Sequence, residues 1–234
     1  MAEHGIRVAT FDCYGTLVDW EGGLGSFLYQ LARRNGDPDP GPGRALRERW
    51  EELQFERIRG EYRTYREVLA DSLAAWAGER GYRWDEHDGE ALGRAMESWQ
   101  PFPDTTPALR QAQEAGLRLC IVSNTDRAII AHTRRHLEVD FEHVVVAEDV
   151  RAYKPSTEPF ERALEVVDEP AGAVLHVAFG FKYDIGPAQR LGMRTAWVNR
   201  KREPRPGAAA PEFEWDTLWP LADHGPGRGY FAGD

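Results

Sequence analysis

Ile6-Arg7-Val8-Ala9-Thr10-Phe11-Asp12-Cys13-Tyr14-Gly15-Thr16-Leu17 is the stretch that decides the fold. An apolar strand from Ile6 to Phe11 runs straight into Asp12. In an open α/β sheet, ligands bind at the carboxyl ends of the strands. A carboxylate there, followed by a Gly-containing turn that lets backbone N–H groups approach a substrate, has the placement of a covalent nucleophile. The same strand-Asp-Gly pattern also marks a plain turn, so the rest of the chain must supply the chemistry that separates the two.

Working outward, the pattern becomes helical after Leu17, with one Gly/Pro-rich break from Gly36 to Gly43. Leu46, Trp50, Leu53, Phe55 and Ile58 recur at near-helical spacing within Arg44 to Arg59, and Val68, Leu69, Leu73 and Trp76 repeat the pattern, as amphipathic helices of a small bundle do. Pro101-Phe102-Pro103-Asp104 is a stiff, extended connection that ends the block. Beyond it helices are expected at Pro107 to Ala115, Arg127 to His136, Glu158 to Val167 and Gly186 to Leu191. Strands are expected at Leu117 to Val122, His143 to Ala147, Val174 to Ala178 and Thr195 to Val198. Apolar strands alternating with helices imply a doubly wound parallel α/β sheet, formed by residues 1–17 and 101–234, with residues 18–100 as an inserted α-helical domain. Arg200 to Pro211 reads as a surface loop, and Asp223 to Asp234 as a mobile Gly-rich tail.

With 234 residues, 41% hydrophobic and 29% charged, the chain can bury a sizeable core. Its net charge of −10 opposes binding to nucleic acid or to anionic membrane. Neither a signal peptide nor an apolar span is evident, so a cytoplasmic protein is expected. Cys13 and Cys120 sit in or at the end of apolar strands and read as buried, reduced thiols. Cys13 could also be a nucleophile, although no obvious His partner accompanies it.

Three later segments carry candidate chemistry. In Ile121-Val122-Ser123-Asn124-Thr125-Asp126 a strand ends in small hydrogen-bonding side chains. Ser123 and Asn124 there can hold a carboxylate or phosphate oxygen at a helix N-terminus; their other role is to cap that helix. In Ala152-Tyr153-Lys154-Pro155-Ser156 the lysine would keep Asp12 ionised by lowering its pKa, or would simply belong to a solvated loop. In His176-Val177-Ala178-Phe179-Gly180-Phe181-Lys182-Tyr183-Asp184, Asp184 lies just beyond a strand and can activate water or cap the next helix.

Together the four segments resemble the haloacid dehalogenase superfamily, with Asp12, Ser123, Lys154 and Asp184 at its four motif positions and nearly the whole chain covered. The resemblance implies a covalent aspartyl intermediate and an α-helical cap between the first and second motifs. Phosphatases of this superfamily carry a second Asp two positions after the nucleophile and acidic Mg²⁺ ligands after the fourth-motif strand. Here those positions are Tyr14, Ala178 and Phe179. Phosphoryl transfer needs such cations, whereas halide leaves without protonation. Asp-Cys-Tyr-Gly-Thr also looks like the Asp-x-Tyr-Gly-Thr motif of the L-2-haloacid dehalogenase branch.

That branch implies a metal-free, cofactor-free hydrolase acting on a small anionic substrate. Asp12 attacks the carbon bearing halogen, and water activated by Asp184 then hydrolyses the ester. Lys154 steadies charge, and Thr16, Ser123, Asn124 and the Tyr14 turn hold oxygens. The branch also implies a cap arginine, for which Arg49 is the candidate and Arg47 the rival, and commonly a homodimer. The branch carries Ser and Asn shortly before the fourth-motif Asp and a Tyr six residues after the Lys. Here Ala178, Phe179 and Gly180 precede Asp184, the spacing is one residue longer, and the Tyr position is Phe160. A Mg²⁺-dependent phosphatase and a non-catalytic relative stay open as alternatives.

Overall fold

The computed structural model describes residues 5–226. Six parallel strands form one sheet in the order β3-β2-β1-β4-β5-β6: β1 Val8–Phe11, β2 Arg118–Ser123, β3 His143–Val146, β4 Val174–Ala178, β5 Arg194–Val198 and β6 Phe213–Trp215. β1 and β4 are buried along their whole length, which is why they read as near-continuous apolar runs, interrupted by Thr10 and His176, rather than alternating ones. From β1 the chain builds β2 and β3 on one side, then crosses back to lay β4, β5 and β6 on the other. The reversal opens a crevice at the carboxyl end of β1, the point at which Asp12 leaves the strand.

The helices are α1 Trp20–Arg34, α2 Gly43–Ile58, α3 Tyr65–Glu79, α4 Glu86–Glu97, α5 Thr105–Glu114, α6 Arg127–Leu137, α7 Ala147–Val150, α8 Glu158–Val167 and α9 Gly186–Arg190. Against the sheet, Phe160, Ala163 and Val167 of α8 and Ala188 of α9 join Val8, Cys120, Val122 and Val174 in a fully buried cluster. β6, an edge strand paired with β5, has no counterpart among the expected strands, because its three residues are too few to show a period of two. Among the described residues no helix is long and apolar enough to cross a membrane. Of the expected tail, Asp223 and His224 belong to a short 3₁₀ helix, Trp219–His224, and residues 227–234 lie outside the described residues.

Two compact units are present. One holds the sheet and runs through Val18, Pro101–Asn124 and the chain from Leu137 onward; the other holds Asp19–Gln100 together with Thr125–His136. The second unit therefore takes most of α6, which the sequence pattern assigns to the alternating part of the chain. Asp126 explains this. Its carboxylate accepts from the backbone N–H groups of Tyr65 (2.7 Å) and Arg66 (2.9 Å) at the start of α3, and further along α6 the His136 ring lies 3.1 Å from the carbonyl of Glu97. Within this unit Leu46, Trp50, Leu69, Leu73 and Trp76 are buried, and the Trp76 indole donates to the Leu46 carbonyl at 3.0 Å. Phe55, at the edge of the expected apolar stripe, is only half-buried.

Asp126→Ala removes both acceptors and leaves two backbone donors of α3 unmatched. A destabilisation of about 1–2 kcal/mol is expected, to be measured as a lower urea midpoint at unchanged m value; a midpoint equal to that of the parent would show that the two bonds contribute nothing.

Candidate active site

Asp12 leaves β1 and the chain turns at once. Leu17 N–H and Val18 N–H both donate to the Cys13 carbonyl, at 2.8 and 3.0 Å, and Gly15 takes φ +100°, a conformation open to glycine at little cost. The turn brings the Thr16 hydroxyl to donate to Asp12 Oδ2 at 2.8 Å, while the hydroxyl oxygen accepts the Phe179 N–H at 2.8 Å. Tyr14 rides on this turn, half-buried, with its backbone bridged to Val18.

Lys154 is 1% exposed, and its three ammonium protons all have acceptors: Asp12 Oδ1 at 2.9 Å, Asp184 Oδ1 at 2.7 Å and the Val122 carbonyl at 2.9 Å. It is therefore a buried cation and not part of a solvated loop. Asn124 fixes the backbone beneath it. Its side-chain N–H donates to the Lys154 carbonyl at 2.9 Å, and its Oδ1 accepts the Lys154 N–H at 2.7 Å. The Asn124 amide thus braces the lysine backbone. Ser123, at the end of β2, is 1% exposed, and its hydroxyl has no hydrogen-bond partner among the described residues.

Asp184 reaches Lys154 from Phe181–Ile185, which winds as a π-helical turn, a form that recurs at functional sites. Asp184 N–H and Tyr183 N–H both donate to the Gly180 carbonyl at 2.9 Å. A Cβ on Gly180 would lie 2.6 Å from Asp184 Oδ2, so the carboxylate needs glycine there. With its side chain turned to Lys154, Asp184 does not cap α9, whose preceding residue is Ile185.

Lys154 does lower the Asp12 pKa, as expected, but other groups set the net direction. Burial raises the Asp12 pKa and the neighbouring Asp184 charge raises it further, outweighing Lys154 and Thr16. Burial also works against an ionised Asp184, but Lys154 and the His176 hydrogen bond overcome it and the Asp184 pKa is lowered. One ammonium pulls both carboxylates down, and only Asp184 ends below its ordinary range. Burial opposes the Lys154 ammonium too, yet the two carboxylates keep its pKa raised. Cys13 is fully buried, and burial together with Asp12 pushes its thiol well above the ordinary range, so it is no thiolate nucleophile at neutral pH.

The two candidate arginines belong to the helical unit. Arg49 donates to Glu79 Oε2 and Oε1 at 2.9 and 2.6 Å and to Glu52 at 2.6 Å, and these bonds raise its pKa. Its guanidinium is thus already matched by two carboxylates. Arg47 is buried between Glu21 (2.5 Å) and Glu51 (2.8 Å). Three further residues of the site are absent from the sequence-based set. His176 and Thr10 are buried beside Asp184, and their one signal is a histidine in the middle of an apolar strand, which demands a partner. The third is Arg200, expected in a surface loop. It lies largely buried over the Phe102 ring, binds both oxygens of Asp104 at 2.9 and 3.0 Å and donates to the Thr16 carbonyl at 3.0 Å, so it braces the Asp12 turn.

Residues 6–192 match the family model described as haloacid dehalogenase-like hydrolase. The chain is similar to (S)-2-haloacid dehalogenase H-109 of Pseudomonas putida, at 28% identity over 203 residues covering 84% of this chain and 87% of that protein. It is also similar to haloacetate dehalogenase H-2 of Moraxella sp. (strain B), at 28% identity covering 83% and 86%. Among solved structures, the L-2-haloacid dehalogenase RSc1362 superposes with a TM-score of 0.83 at 27% identity, covering 94% of this chain and 98% of that one.

Lys154→Met leaves two buried carboxylates without a counter-charge, which costs about 3–5 kcal/mol at neutral pH. The folded carboxylate pKa then lies above the unfolded one, so the penalty grows as pH rises and shrinks as pH falls. Urea unfolding at pH 5 and pH 8 measures this; an equal loss at both would show that the carboxylates are not the groups the lysine supports.

Proposed function

This chain belongs to the haloacid dehalogenase-like hydrolases, and from that premise we propose that it displaces halide from small 2-haloacids without a metal, through an ester on Asp12. The observation that carries this reading is the Lys154 ammonium set between the Asp12 and Asp184 carboxylates. Phosphatase chemistry in this family requires acidic groups around the nucleophile, and here Tyr14, Ala178 and Phe179 occupy those positions. Among the described residues no three His, Cys, Asp or Glu side chains gather as a metal site. Asp12 Oδ1 and Asp184 Oδ1 are both directed at Lys154. A divalent cation that demands several oxygen ligands does not fit this donor set.

In the first step an Asp12 oxygen attacks C2 of the haloacid. The C–O ester bond forms, the C–halogen bond breaks, and halide leaves with the bonding pair. Thr16 and Lys154 hold the Asp12 carboxylate at fixed orientation, which turns a bimolecular displacement into a positioned one. Ser123, with its unmatched buried hydroxyl, is the side chain to accept or donate at the substrate carboxylate. In the second step water attacks the Asp12 carbonyl carbon and Asp184 takes its proton. Lys154 stabilises the tetrahedral oxyanion, and the 2-hydroxy acid departs with the substrate oxygen protonated. The sum is haloacid plus water giving hydroxy acid, halide and one proton.

Halide release from L- and D-2-chloropropionate and bromoacetate in EDTA tests the reading, with p-nitrophenyl phosphate plus Mg²⁺ as the opposing arm. Halide release is expected in EDTA, and Asp12→Asn should abolish it. Because Asp12 reacts only when ionised and its pKa is raised, kcat/KM should fall with decreasing pH through a limb lying above the ordinary Asp range. Phosphate release confined to the Mg²⁺ arm would replace the dehalogenase with a phosphatase.

A further inference from the structure

In the centre of β4, His176 is wholly buried, in parallel register with Thr10 of β1. Its Nδ1 lies 2.8 Å from the Thr10 hydroxyl and its Nε2 lies 3.0 Å from Asp184 Oδ1. An ionised carboxylate oxygen can only accept, so Nε2 carries a proton; the Thr10 hydroxyl, which can donate or accept, matches Nδ1 in the neutral ring by donating and in the imidazolium by accepting. Phe160 packs edge-on against the imidazole with ring centroids 5.0 Å apart, which fixes the ring plane and offers it no competing polar partner. Both donors to Asp184, from Lys154 and from His176, fall on Oδ1. Oδ2 faces Gly180, 2.6 Å from where a Cβ would stand, and makes neither of these bonds, in a side chain only 1% exposed.

We propose that His176, oriented by Thr10, is a positioning residue that holds Asp184 by Oδ1 and so leaves Oδ2 as the oxygen that takes the proton from the hydrolytic water. The inference rests on the two-step ester reading and adds a division of labour to it. Lys154 touches both carboxylates and serves both steps, whereas the Thr10-His176 pair touches only Asp184 and serves the second. Replacing His176 should therefore leave the formation of the ester nearly intact and slow its hydrolysis. A buried histidine with a purely structural role would affect both steps together or neither.

The test compares the parent protein with His176→Phe, His176→Gln and Thr10→Val on L-2-chloropropionate, following halide release before and during steady state and the intact mass of the protein. For His176→Phe the expected result is a first-turnover halide burst close to that of the parent, a kcat lower by about 10²-fold and an ester adduct accumulating on Asp12. His176→Gln, which keeps an N–H donor toward Asp184, should recover part of kcat. Thr10→Val should lose no more than about tenfold, the worth of one hydrogen bond. Parent-like turnover in His176→Phe, equal loss of burst and steady state, or no recovery in His176→Gln would each overturn the proposal.

Imidazole ¹⁵N resonances of the parent protein give a readout that needs no substrate. Protonated Nε2, changed by Asp184→Ala, is expected; a bare Nε2 would overturn the relay. If the parent releases no halide, the dehalogenase reading fails by itself and these resonances decide whether the relay exists.

Discussion

One ammonium ties the sheet to its chemistry. Lys154 bonds Asp12 at the end of β1, Val122 near the end of β2 and Asp184 beyond β4, so three neighbouring strands are referenced to one charge. Such a group is costly to bury unless every proton finds an acceptor. Its three bonds meet that condition, and the Asn124 amide beneath it meets the same condition for the backbone. The turn after Asp12, the loop after β2 and the π-helical turn after β4 are thus all held to the position of Nζ. Change any one of them and the lysine loses an acceptor in a place water does not replace.

Lys154 pulls both buried carboxylates down, and the other groups decide the net direction at each. Asp184 adds the His176 hydrogen bond and is lowered, whereas at Asp12 burial and the Asp184 charge outweigh Lys154 and the Thr16 hydroxyl. The acid at the end of β1 is left the more basic of the pair.

Much of this is legible in the residues, and the remainder is hidden for identifiable reasons. β4 at Val174–Ala178 and α8 at Glu158–Val167 carry continuous apolar or 3.6-residue patterns flanked by Pro and polar residues, and local patterns of that kind are set by burial alone. Asp12, Thr16, Lys154 and Asp184 are readable as a constellation because their order along the chain is characteristic. Their meeting at one nitrogen is tertiary information. α6 cannot be assigned from its own stripe, because what ties it to α3 is the Asp126 carboxylate, accepting from backbone donors 60 and 61 positions earlier in the chain, and what ties it to α4 is the His136 ring at the Glu97 carbonyl. Arg200 reads as a loop charge since its partners, Asp104 and the Thr16 carbonyl, are 96 and 184 positions away. Arg49 reads as available since the acid that holds it, Glu79, lies 30 positions on, at the far end of the next helix.

The turn that delivers Asp184 is not wound as an ordinary α-helix. Successive α-helical residues are rotated by about 100°, whereas the π-helical ring of Phe181–Ile185 is wider. Gly180 makes the widening possible, since any Cβ would collide with Asp184 Oδ2, and the Trp197 indole, donating to the Phe179 carbonyl at 3.0 Å, pins the start of the turn. Ala178 and Phe179 bring no carboxylate to the site, and Phe179 is held through its backbone: its N–H by Thr16 and its carbonyl by Trp197. A segment whose side chains could have gathered a cation therefore serves as a rigid mount for one acid, and positive charge at this site comes from the lysine.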